Sequence, residues 1–445
     1  MCMDQPYRVG VQLAACFFCL LAAPRLAAGE LYRLSGTTMG TVQWQVQVVS
    51  ETDRAAVEED LAPAIAKVLA AVDASMSTYR EDSEVSRFNR FDSTEWFSVS
   101  QETAQVVQRS IEMSERSSGA FDMTVKRLVE LWNFGAGRSA DWTFPSDEQI
   151  DALLPHVGYH KVSARLDPPG LRKLDAAVQI DLSGIAKGYA VDRVGGMLEG
   201  QSIADWFVEI GGEVLARGAK PNGQPWVVGV ERPNDSGRSL EARLPIDGWA
   251  IATSGDYRSF TRSGSKRYSH ILSPQTGRPV THSLAGVSVT AADCMTADAA
   301  ATALMVAGPE RLIEVADAMG VQYYALERDG DRFRVHRSSD FPLAAQTQAA
   351  STSAVPAGGS LSAPASSPSG SDASPLSMVI GAVVVTALAI FGLALGAIFR
   401  GRSLKGSCGG LGNAAACGLC QASGTPACKE TPAKVGPRSA REPSS

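Results

Sequence analysis

The sequence predicts an α+β domain that is flanked by non-globular segments at both ends. Alternating apolar residues over 41–48 predict a strand, and apolar residues at helical spacing follow directly after it. Later strands and helices mix without regular alternation, which favours α+β over a doubly wound sheet. The sequence shows no repeat with a period of roughly twenty to fifty residues. We therefore expect one large folded domain, or two interlocked ones, at residues 30–343 of the 445.

The elements of this domain are predicted from periodicity and capping residues. The first helix runs from Val57 to Met76, has Thr52 and Asp53 as capping candidates, and ends near Tyr79. A second helix covers residues 101–117 and is closed by Gly119. The later elements are strands at 178–182, 204–215 with a bend at Gly211-Gly212, and 226–230, a helix at 309–319, and a hairpin of 321–326 with 333–335 around Asp329-Gly330.

Both ends of the chain carry addressing signals. Residues 1–29 are typical of a secretory signal, with Arg8 ahead of an apolar stretch at 11–23. The run that ends at Cys16 also resembles a lipoprotein box, so lipidation is an alternative. Near the other end, residues 376–399 carry no charge and are long enough to cross a bilayer as a helix.

The charges beside this predicted span indicate its orientation. Arg400, Arg402 and Lys405 follow the span, so the positive-inside bias predicts a cytoplasmic tail at 400–445 and a folded domain on the outer side. Residues 344–375 are nearly all small or polar and predict a flexible, disordered linker.

Composition excludes two classes of protein. With 44% hydrophobic and 20% charged residues and a net charge of -6, the chain is ordinary for a globular protein and unsuited to nucleic acid. Of eight cysteines, only Cys294 lies in the predicted folded domain. A disulfide framework is therefore excluded there.

The segment 293–304 is the first candidate site. Thr296 can cap a helix there, which would place Asp298 and Thr302 one turn apart on the same face. Hard oxygen donors among small residues suit Mg²⁺ or Ca²⁺. Alternatively, Asp298 complements the helix dipole and Thr302 bonds within the helix.

A second candidate is the segment 181–192, where the predicted strand 178–182 meets a helix that opens after Ser183-Gly184. Such a junction presents free N–H groups. Lys187 lies in the first helical turn, where its charge opposes the helix dipole, which favours an anionic ligand such as phosphate. A solvated Lys187 is the alternative, and the glycine spacing fits neither a Walker loop nor a dinucleotide fingerprint.

Three further segments are ambiguous when each is taken alone. Met39 offers an adaptable apolar surface to a ligand, or is simply buried. Phe121 could pack on a planar ring, or its segment 119–122 is a plain helix C-cap. His270 precedes a turn at 273–277 and could transfer a proton or contact phosphate, or be an ordinary surface residue.

Together, these segments resemble the ApbE family of FAD:protein FMN transferases. The resemblance covers residues 31–341 and implies a T-fold-like α+β body. It implies an enzyme that uses Mg²⁺ to move FMN from FAD onto a Ser or Thr hydroxyl of a partner protein, releasing AMP. The motifs that carry it are 36–41, 119–122, 181–192, 209–213, 254–257, 269–277 and 298–302.

The resemblance also assigns residues. Mg²⁺ would be held by Asp298, Thr302 and the backbone carbonyl of Gly184. Lys187, Asp298 and His270 would be catalytic, with His270 assisting deprotonation of the acceptor. Ser273 departs from the family, which commonly has Asp before this proline. The residues implied to line the FAD site are Met39, Tyr79, Ala120, Phe121, Asp122, Asp181, Lys187, His270 and Ile271.

The predicted span is followed by residues 405–412, Lys-Gly-Ser-Cys-Gly-Gly-Leu-Gly. Over about the last seventy residues the chain thereby resembles NqrM, a small membrane protein that assists maturation of the Na⁺-translocating NADH:quinone oxidoreductase. Cys408, Cys417, Cys420 and Cys428 would bind iron or an iron–sulfur precursor in the reducing cytoplasm, or the tail is a loose segment that happens to contain cysteines. The fusion implies a maturation factor in the bacterial inner membrane, with its catalytic domain in the periplasm. Its acceptors would be subunits of that oxidoreductase with an Asp-x-x-Ser/Thr-Gly-Ala-Ser/Thr type of motif.

Rival hypotheses are a non-catalytic FAD-binding electron-transfer protein and a membrane scaffold that presents the tail. A third is that the chain is itself the flavin acceptor. Its nearest motif, Ser118-Gly119-Ala120-Phe121, lacks the final hydroxyl, which argues against this third hypothesis.

Overall fold

Antiparallel strands form the framework of the domain. The computed structural model describes residues 29–134, 141–233, 239–257, 260–263 and 266–344, all within one compact unit. The strands are β1 (Glu30–Thr38), β2 (Val42–Ser50), β3 (Phe97–Ser98), β4 (Val162–Leu166), β5 (Pro169–Lys173), β6 (Trp206–Ile210), β7 (Glu213–Arg217), β8 (Trp226–Arg232), β9 (Ser239–Ile246), β10 (Trp249–Gly255), β11 (Phe260–Ser263), β12 (Lys266–Ser269), β13 (Leu284–Ala291), β14 (Gln322–Asp329) and β15 (Arg332–Arg337).

An eight-stranded sheet runs in the order β1-β2-β6-β7-β10-β13-β14-β15, and neighbouring strands are antiparallel throughout. Smaller sheets are formed by β3-β5-β4, by β8-β9 and by β11-β12. The helices are α1 (Arg54–Met76), α2 (Glu84–Arg90), α3 (Gln101–Arg116), α4 (Lys126–Leu131), α5 (Asp147–Leu153), α6 (Ala186–Gly200), α7 (Cys294–Ala307) and α8 (Leu312–Met319). The predicted α+β class is confirmed.

The central strands of the large sheet are buried on both faces, and their residues alternate between two apolar layers. Tyr323 and Ala325 pack in the layer that contains α1, α3, α6, α7 and α8. Tyr324 and Leu326 pack in a second layer with residues of the β8-β9 ribbon. The helices that carry the candidate residues therefore lie on one face of the sheet.

The strongly periodic predictions are confirmed. Helix α1 follows Asp53, whose carboxylate accepts hydrogen bonds from the backbone N–H groups of Ala55 (2.9 Å) and Ala56 (3.2 Å), so Asp53 and not Thr52 is the cap. Helix α3 matches the predicted second helix, and β14-β15 form the predicted hairpin.

The predicted strand at 178–182 is wrong, because the described structure places these residues outside any strand. A side chain supplies the hydrogen bonds that a neighbouring strand would make. Asn89 donates from Nδ2 to the carbonyl of Ile180 (2.8 Å) and accepts at Oδ1 from its N–H (2.7 Å). The backbone N–H and carbonyl of Ile180 are therefore satisfied without a strand partner.

Three predicted boundaries also need correction. The strand predicted at 204–215 is two strands, β6 and β7, separated at the predicted Gly211-Gly212 bend, where both residues have positive φ (66° and 105°). The helix predicted at 309–319 begins only at Leu312. The cap of α7 is Asp293 and not Thr296, because the Asp293 carboxylate accepts from the Thr296 N–H at 2.7 Å.

Several predictions lie outside the described residues. The predicted signal at 1–29 lies outside them except for residue 29, and the predicted linker at 344–375 lies outside them except for residue 344. The predicted span at 376–399 and the predicted tail at 400–445, with its four cysteines, lie wholly outside them. Among the helices that the structure describes, none is both long and apolar enough to cross a membrane.

Candidate active site

A cavity of about 410 Å³ opens where the start of α6 and one face of α7 meet the ends of strands of the large sheet. Its wall brings together nearly every residue that the sequence assigned to the FAD and Mg²⁺ sites. The predicted residues on the wall are Tyr79, Ala120, Phe121, Asp122, Asp181, Gly184, Lys187, His270, Ile271, Asp298 and Thr302.

Met39 is the exception among the predicted residues. It does not line this cavity, and it lies at the β1-β2 turn with a positive φ of 46°. Its side chain packs against the apolar layer that contains the helices. Met39 is partly buried on this layer, and its contact with FAD stays a prediction.

Lys187 is held between two buried carboxylates. Its Nζ lies 3.1 Å from Oε1 of Glu213 and 3.2 Å from Oδ1 of Asp298, and these acids are only 2% and 3% exposed. Burial works against the ammonium, but the charges of Asp298 and Glu213 outweigh it and raise the pKa of Lys187 well above its ordinary value. Lys187 is thus a fixed positive charge, and its side chain keeps 28% exposure towards the cavity.

The local fold explains this arrangement. Lys187 is the second residue of α6, whose N-cap residue makes no side-chain capping hydrogen bond. The free N–H groups predicted at this junction are largely engaged, because Ala186 donates to the Leu182 carbonyl at 2.8 Å and Gly188 donates to Asp298 at 3.0 Å. The β6-β7 bend approaches Lys187 closely, because a Cβ at Gly211 would lie 3.3 Å from Cδ of Lys187. Glycine at this bend therefore lets Glu213 reach the lysine.

Oxygen atoms of α7 and its neighbours form the second feature of the cavity. Asp298 and Thr302 lie one turn apart on α7, and Ser254 Oγ is 3.4 Å from Thr302 Oγ1. A Cβ at Gly184 would lie 3.3 Å from Thr302 Oγ1, so the Gly184 backbone runs directly beside that hydroxyl. These are hard oxygen donors of the kind that suits Mg²⁺.

The donor set can hold Mg²⁺ as a mixed site but not as a cluster of acids. Within the described part of the chain, His, Cys, Asp and Glu side chains form no group of three or more that could hold a metal ion. Mg²⁺ usually keeps several waters and binds through one or two carboxylates together with substrate phosphates. One carboxylate, one hydroxyl and one carbonyl therefore fit an ion that the substrate helps to bind.

Asp122 lines the cavity, and its carboxylate also accepts hydrogen bonds from neighbouring segments of the chain. It accepts hydrogen bonds from the N–H and hydroxyl of Thr124 (2.8 and 2.6 Å) and from the N–H of Tyr159 (2.8 Å). Burial raises the pKa of Asp122 above its ordinary value, although these hydrogen bonds act in the opposite direction. Asp122 therefore fixes the loop that carries Phe121.

The apolar part of the wall could receive a planar ring. Phe121 is buried, whereas Tyr79 is 69% exposed. Phe134 also lines the cavity, and its ring meets that of His270 edge-on with centroids 6.5 Å apart. His270 follows β12 and is partly buried, a position suited to proton transfer at a surface that an incoming partner can reach.

Sequence reasoning missed Glu213, Ser254 and Phe134 as individual site residues. Glu213 was visible only as the end of the 209–213 motif, and Ser254 only as the start of 254–257. Phe134 carried no signal, since it belongs to an apolar cluster with Leu128 and Trp132 that looks like ordinary core.

The far end of α7 is fixed by a histidine, which predicts a pH-dependent stability. His282 Nε2 lies 2.7 Å from the carbonyl of Met305, and its Nδ1 accepts from the Leu284 N–H at 3.3 Å, so the ring is neutral. Burial lowers the pKa of His282. At pH values between the lowered pKa of the folded protein and the ordinary histidine pKa of about 6.5, the unfolded chain binds more protons at this residue than the folded chain does. The free energy of unfolding therefore falls as the pH falls through this range.

We expect the free energy of unfolding to decrease as the pH falls below about 6.5, by up to roughly 1.4 kcal/mol for every tenfold by which folding weakens proton binding to His282. Urea denaturation across this range, compared between wild type and His282→Gln, isolates the contribution. Parallel pH curves for the two proteins would contradict the assignment.

Comparison with known proteins agrees with the geometry. The ApbE family matches residues 39–325. A FAD:protein FMN transferase of Vibrio cholerae is 39% identical over 326 residues, which cover 72% of this chain and 96% of the relative. A FAD:protein FMN transferase of Escherichia coli strain K12 is 36% identical over 316 residues, covering 71% and 89%.

Solved structures show the same likeness. The flavin transferase ApbE from Vibrio cholerae superposes with a TM-score of 0.64 at 38% identity, covering 70% of this chain and 98% of that one. The apo form of the Pseudomonas stutzeri flavinyl transferase ApbE gives 0.63 at 34% identity, covering 70% and 95%. On the family match, the relatives and the shared fold, this chain belongs to the ApbE family.

Proposed function

We propose that the cavity binds FAD with its pyrophosphate beside Lys187, that Mg²⁺ is held there by Asp298, Thr302 and the Gly184 carbonyl, and that FMN passes to a Ser or Thr hydroxyl of a membrane redox protein. The enzyme class itself follows from the relatives, and the chain is a FAD:protein FMN transferase. The metal, the acceptor and the membrane setting are the proposed part.

One observation carries the proposal: a fixed ammonium and a set of hard oxygen donors face the same cavity as a buried aromatic ring. Lys187, Asp298 and Thr302 supply the polar groups and Phe121 the ring. A dinucleotide such as FAD needs both kinds of surface, one for its phosphates and one for its planar rings. Mg²⁺, when bound, would neutralise charge on the pyrophosphate and on the leaving phosphate.

The transfer is a displacement at phosphorus. A P–O bond forms between the acceptor hydroxyl oxygen and the FMN phosphorus, and the phosphoanhydride P–O bond to the AMP phosphate breaks. AMP leaves with the electron pair of that bond. Lys187 stabilises the negative charge that develops on the phosphate oxygens, because it is preorganised by Glu213 and Asp298 before substrate arrives.

His270 is proposed to take the proton of the acceptor hydroxyl. Its ring lines the cavity next to Ile271, and its partial exposure leaves it within reach of an incoming protein. Histidine is suited to this role because its ordinary pKa of about 6.5 lies near neutral pH.

The proposed partners are subunits of the Na⁺-translocating NADH:quinone oxidoreductase with an Asp-x-x-Ser/Thr-Gly-Ala-Ser/Thr type of motif. The support is the NqrM-like sequence of the tail, with its four cysteines as a proposed iron site, and the charge asymmetry around residues 376–399. We place the domain in the bacterial periplasm and the tail in the cytoplasm. Flavin attachment outside and iron delivery inside would then serve one enzyme.

The test is to incubate the full-length chain with FAD, Mg²⁺ and an acceptor domain bearing this motif, and then to weigh the acceptor. We expect a mass gain of one FMN and an equal amount of AMP, both abolished by EDTA and restored by excess Mg²⁺. Asp317→Asn, an exposed carboxylate on α8, is the matched control and should transfer normally.

Two outcomes would redirect the proposal. FAD that stays bound and intact, with no acceptor mass gain, would favour the electron-transfer alternative. Transfer that proceeds equally in EDTA would remove Mg²⁺ from the mechanism while leaving the enzyme class in place. For the tail, a chain that ends at residue 375 should still flavinylate the isolated acceptor but fail to support assembly of the oxidoreductase in cells.

A further inference from the structure

Asp192 is a carboxylate that the proposed chemistry does not use. It lies on α6, one helical turn after Gly188, and is only partly exposed. Its Oδ1 accepts a hydrogen bond from the N–H of Cys294 at 2.7 Å, and its Oδ2 accepts one from the N–H of Met295 at 2.8 Å. These are the first two residues of α7, so one carboxylate of α6 clamps the start of the helix that carries Asp298 and Thr302.

The other donors of this helix start are satisfied locally. Thr296 donates to the Asp293 carboxylate at 2.7 Å, and Ala297 donates to the Asp293 carbonyl at 3.2 Å. A helix leaves its first four N–H groups without helical partners. Here the Asp293 carboxylate takes the N–H of Thr296, and the Asp192 carboxylate takes those of Cys294 and Met295, while the Ala297 N–H already makes the first helical hydrogen bond. Of these two acidic side chains, Asp192 is the one that lies on another helix.

The two helices touch again at Gly188. Its N–H donates to Oδ2 of Asp298 at 3.0 Å, and a Cβ at this glycine would lie only 2.2 Å from the carbonyl oxygen of Cys294. Gly188 and Asp192 are four residues apart, so both contacts lie on the same face of α6. Docking of α6 on α7 therefore sets the separation of Lys187, on one helix, from Asp298, on the other.

We propose that Asp192 is a positioning residue that fixes the start of α7 against α6 and thereby sets the affinity of the Asp298–Thr302 site for its divalent cation. The inference rests on the proposed function, because it assumes a cation at these oxygens. It adds a residue that touches neither cation nor flavin, and it predicts a selective effect on the metal.

Asp192→Asn is the sharpest test, because it preserves size while removing one acceptor. The amide oxygen can accept from one of the two N–H groups, but the amide nitrogen is a donor and would face the other. We expect the half-saturating Mg²⁺ concentration for FMN transfer to rise about ten- to a hundredfold, the range typical for loss of a group that orients a metal ligand. The KM for FAD should change less than about twofold, because the mutated residue does not face the cavity.

A second readout does not depend on turnover. Mn²⁺ binding to the FAD-loaded protein, followed by electron paramagnetic resonance, should weaken by the same factor in Asp192→Asn. Asp293→Asn is the matched control on the same helix end, because Asn caps helices about as well as Asp. It should leave Mn²⁺ affinity and the Mg²⁺ requirement unchanged.

The outcomes separate this inference from the proposed function. If wild type transfers FMN and Asp192→Asn has the same Mg²⁺ and Mn²⁺ dependence, the positioning role is overturned while the function stands. If wild type shows no transfer, the Mn²⁺ titration alone decides, and equal affinities or no binding to wild type would overturn the inference. Should Asp192→Asn not fold, Asp192→Glu, which keeps both acceptors on a longer arm, is expected to show a smaller rise, and wild-type behaviour would contradict the proposal.

Discussion

Replacing Lys187 with methionine is expected to lower the rate of FMN transfer by about two to three orders of magnitude, the loss typical when one preorganised electrostatic group is removed from a reaction centre. The ammonium lies within 3.2 Å of two carboxylates and is charged before substrate binds. It is therefore positioned to stabilise negative charge on the departing phosphate. Mass spectrometry of the acceptor against time measures the rate.

The same substitution is expected to destabilise the fold. Without the ammonium, Glu213 and Asp298 remain as neighbouring buried acids, and leaving a buried charge without its partner costs about 3–5 kcal/mol. A loss of activity could then reflect unfolding. The double variant Lys187→Met with Glu213→Gln removes one of these acids and should recover most of the lost free energy of unfolding.

The double variant separates the two effects of the lysine. Its thermal midpoint should return towards that of wild type, while its transfer rate stays as low as that of Lys187→Met. Glu213→Gln alone should remain active, because Asp298 still pairs with Lys187. A double variant that regains wild-type transfer would show that Lys187 acts on stability alone.

The sequence was informative wherever structure depends on neighbouring residues. Helix α1 and the β14-β15 hairpin have clear periodicity and recognisable ends, and both were predicted. Strand β1 was missed because Glu30–Thr38 is rich in polar residues and pairs along its full length with β2. Its strand conformation depends on that partner more than on its own composition.

Errors arose where a distant side chain replaces a local pattern. Residues 178–182 look like a buried strand, but Asn89 provides the backbone hydrogen bonds of Ile180 from 91 positions away. The periodicity of residues near Ile180 cannot reveal a hydrogen-bond partner so far away in the chain.

The sequence predicted which residues form the site better than it predicted which of their side chains are paired. The ordered motifs identified Lys187, Asp298 and Thr302, and the structure brings them to one cavity. The Lys187–Glu213 pair was not predicted, since it depends on how the β6-β7 bend lies against α6. Such a contact depends on tertiary packing, which the spacing of residues along the chain does not predict.

Asp298→Asn is expected to reduce transfer by more than about a hundredfold, beyond the ten- to hundredfold typical for groups that only orient a metal ligand. The substitution keeps the shape of the side chain but removes the one negative charge among the proposed Mg²⁺ donors. Asn can still accept from the N–H of Gly188, and Lys187 keeps Glu213 as a partner. In contrast to Lys187→Met, we therefore expect a thermal midpoint within a few degrees of wild type.

Because Asp298→Asn is expected to stay folded, the role of the carboxylate in transfer can be measured apart from any role in stability. If Asp298 acts through the cation, Asp298→Asn should still bind FAD, measured by flavin fluorescence, but should lose Mn²⁺ binding together with transfer. Asp317→Asn removes a carboxylate of the neighbouring helix α8 and should change none of these quantities. A folded Asp298→Asn protein that transfers FMN with the wild-type Mg²⁺ dependence would mean that the cation is bound elsewhere. The Asp298 carboxylate would then serve to hold Lys187 in place, which is the contact that the structure itself displays.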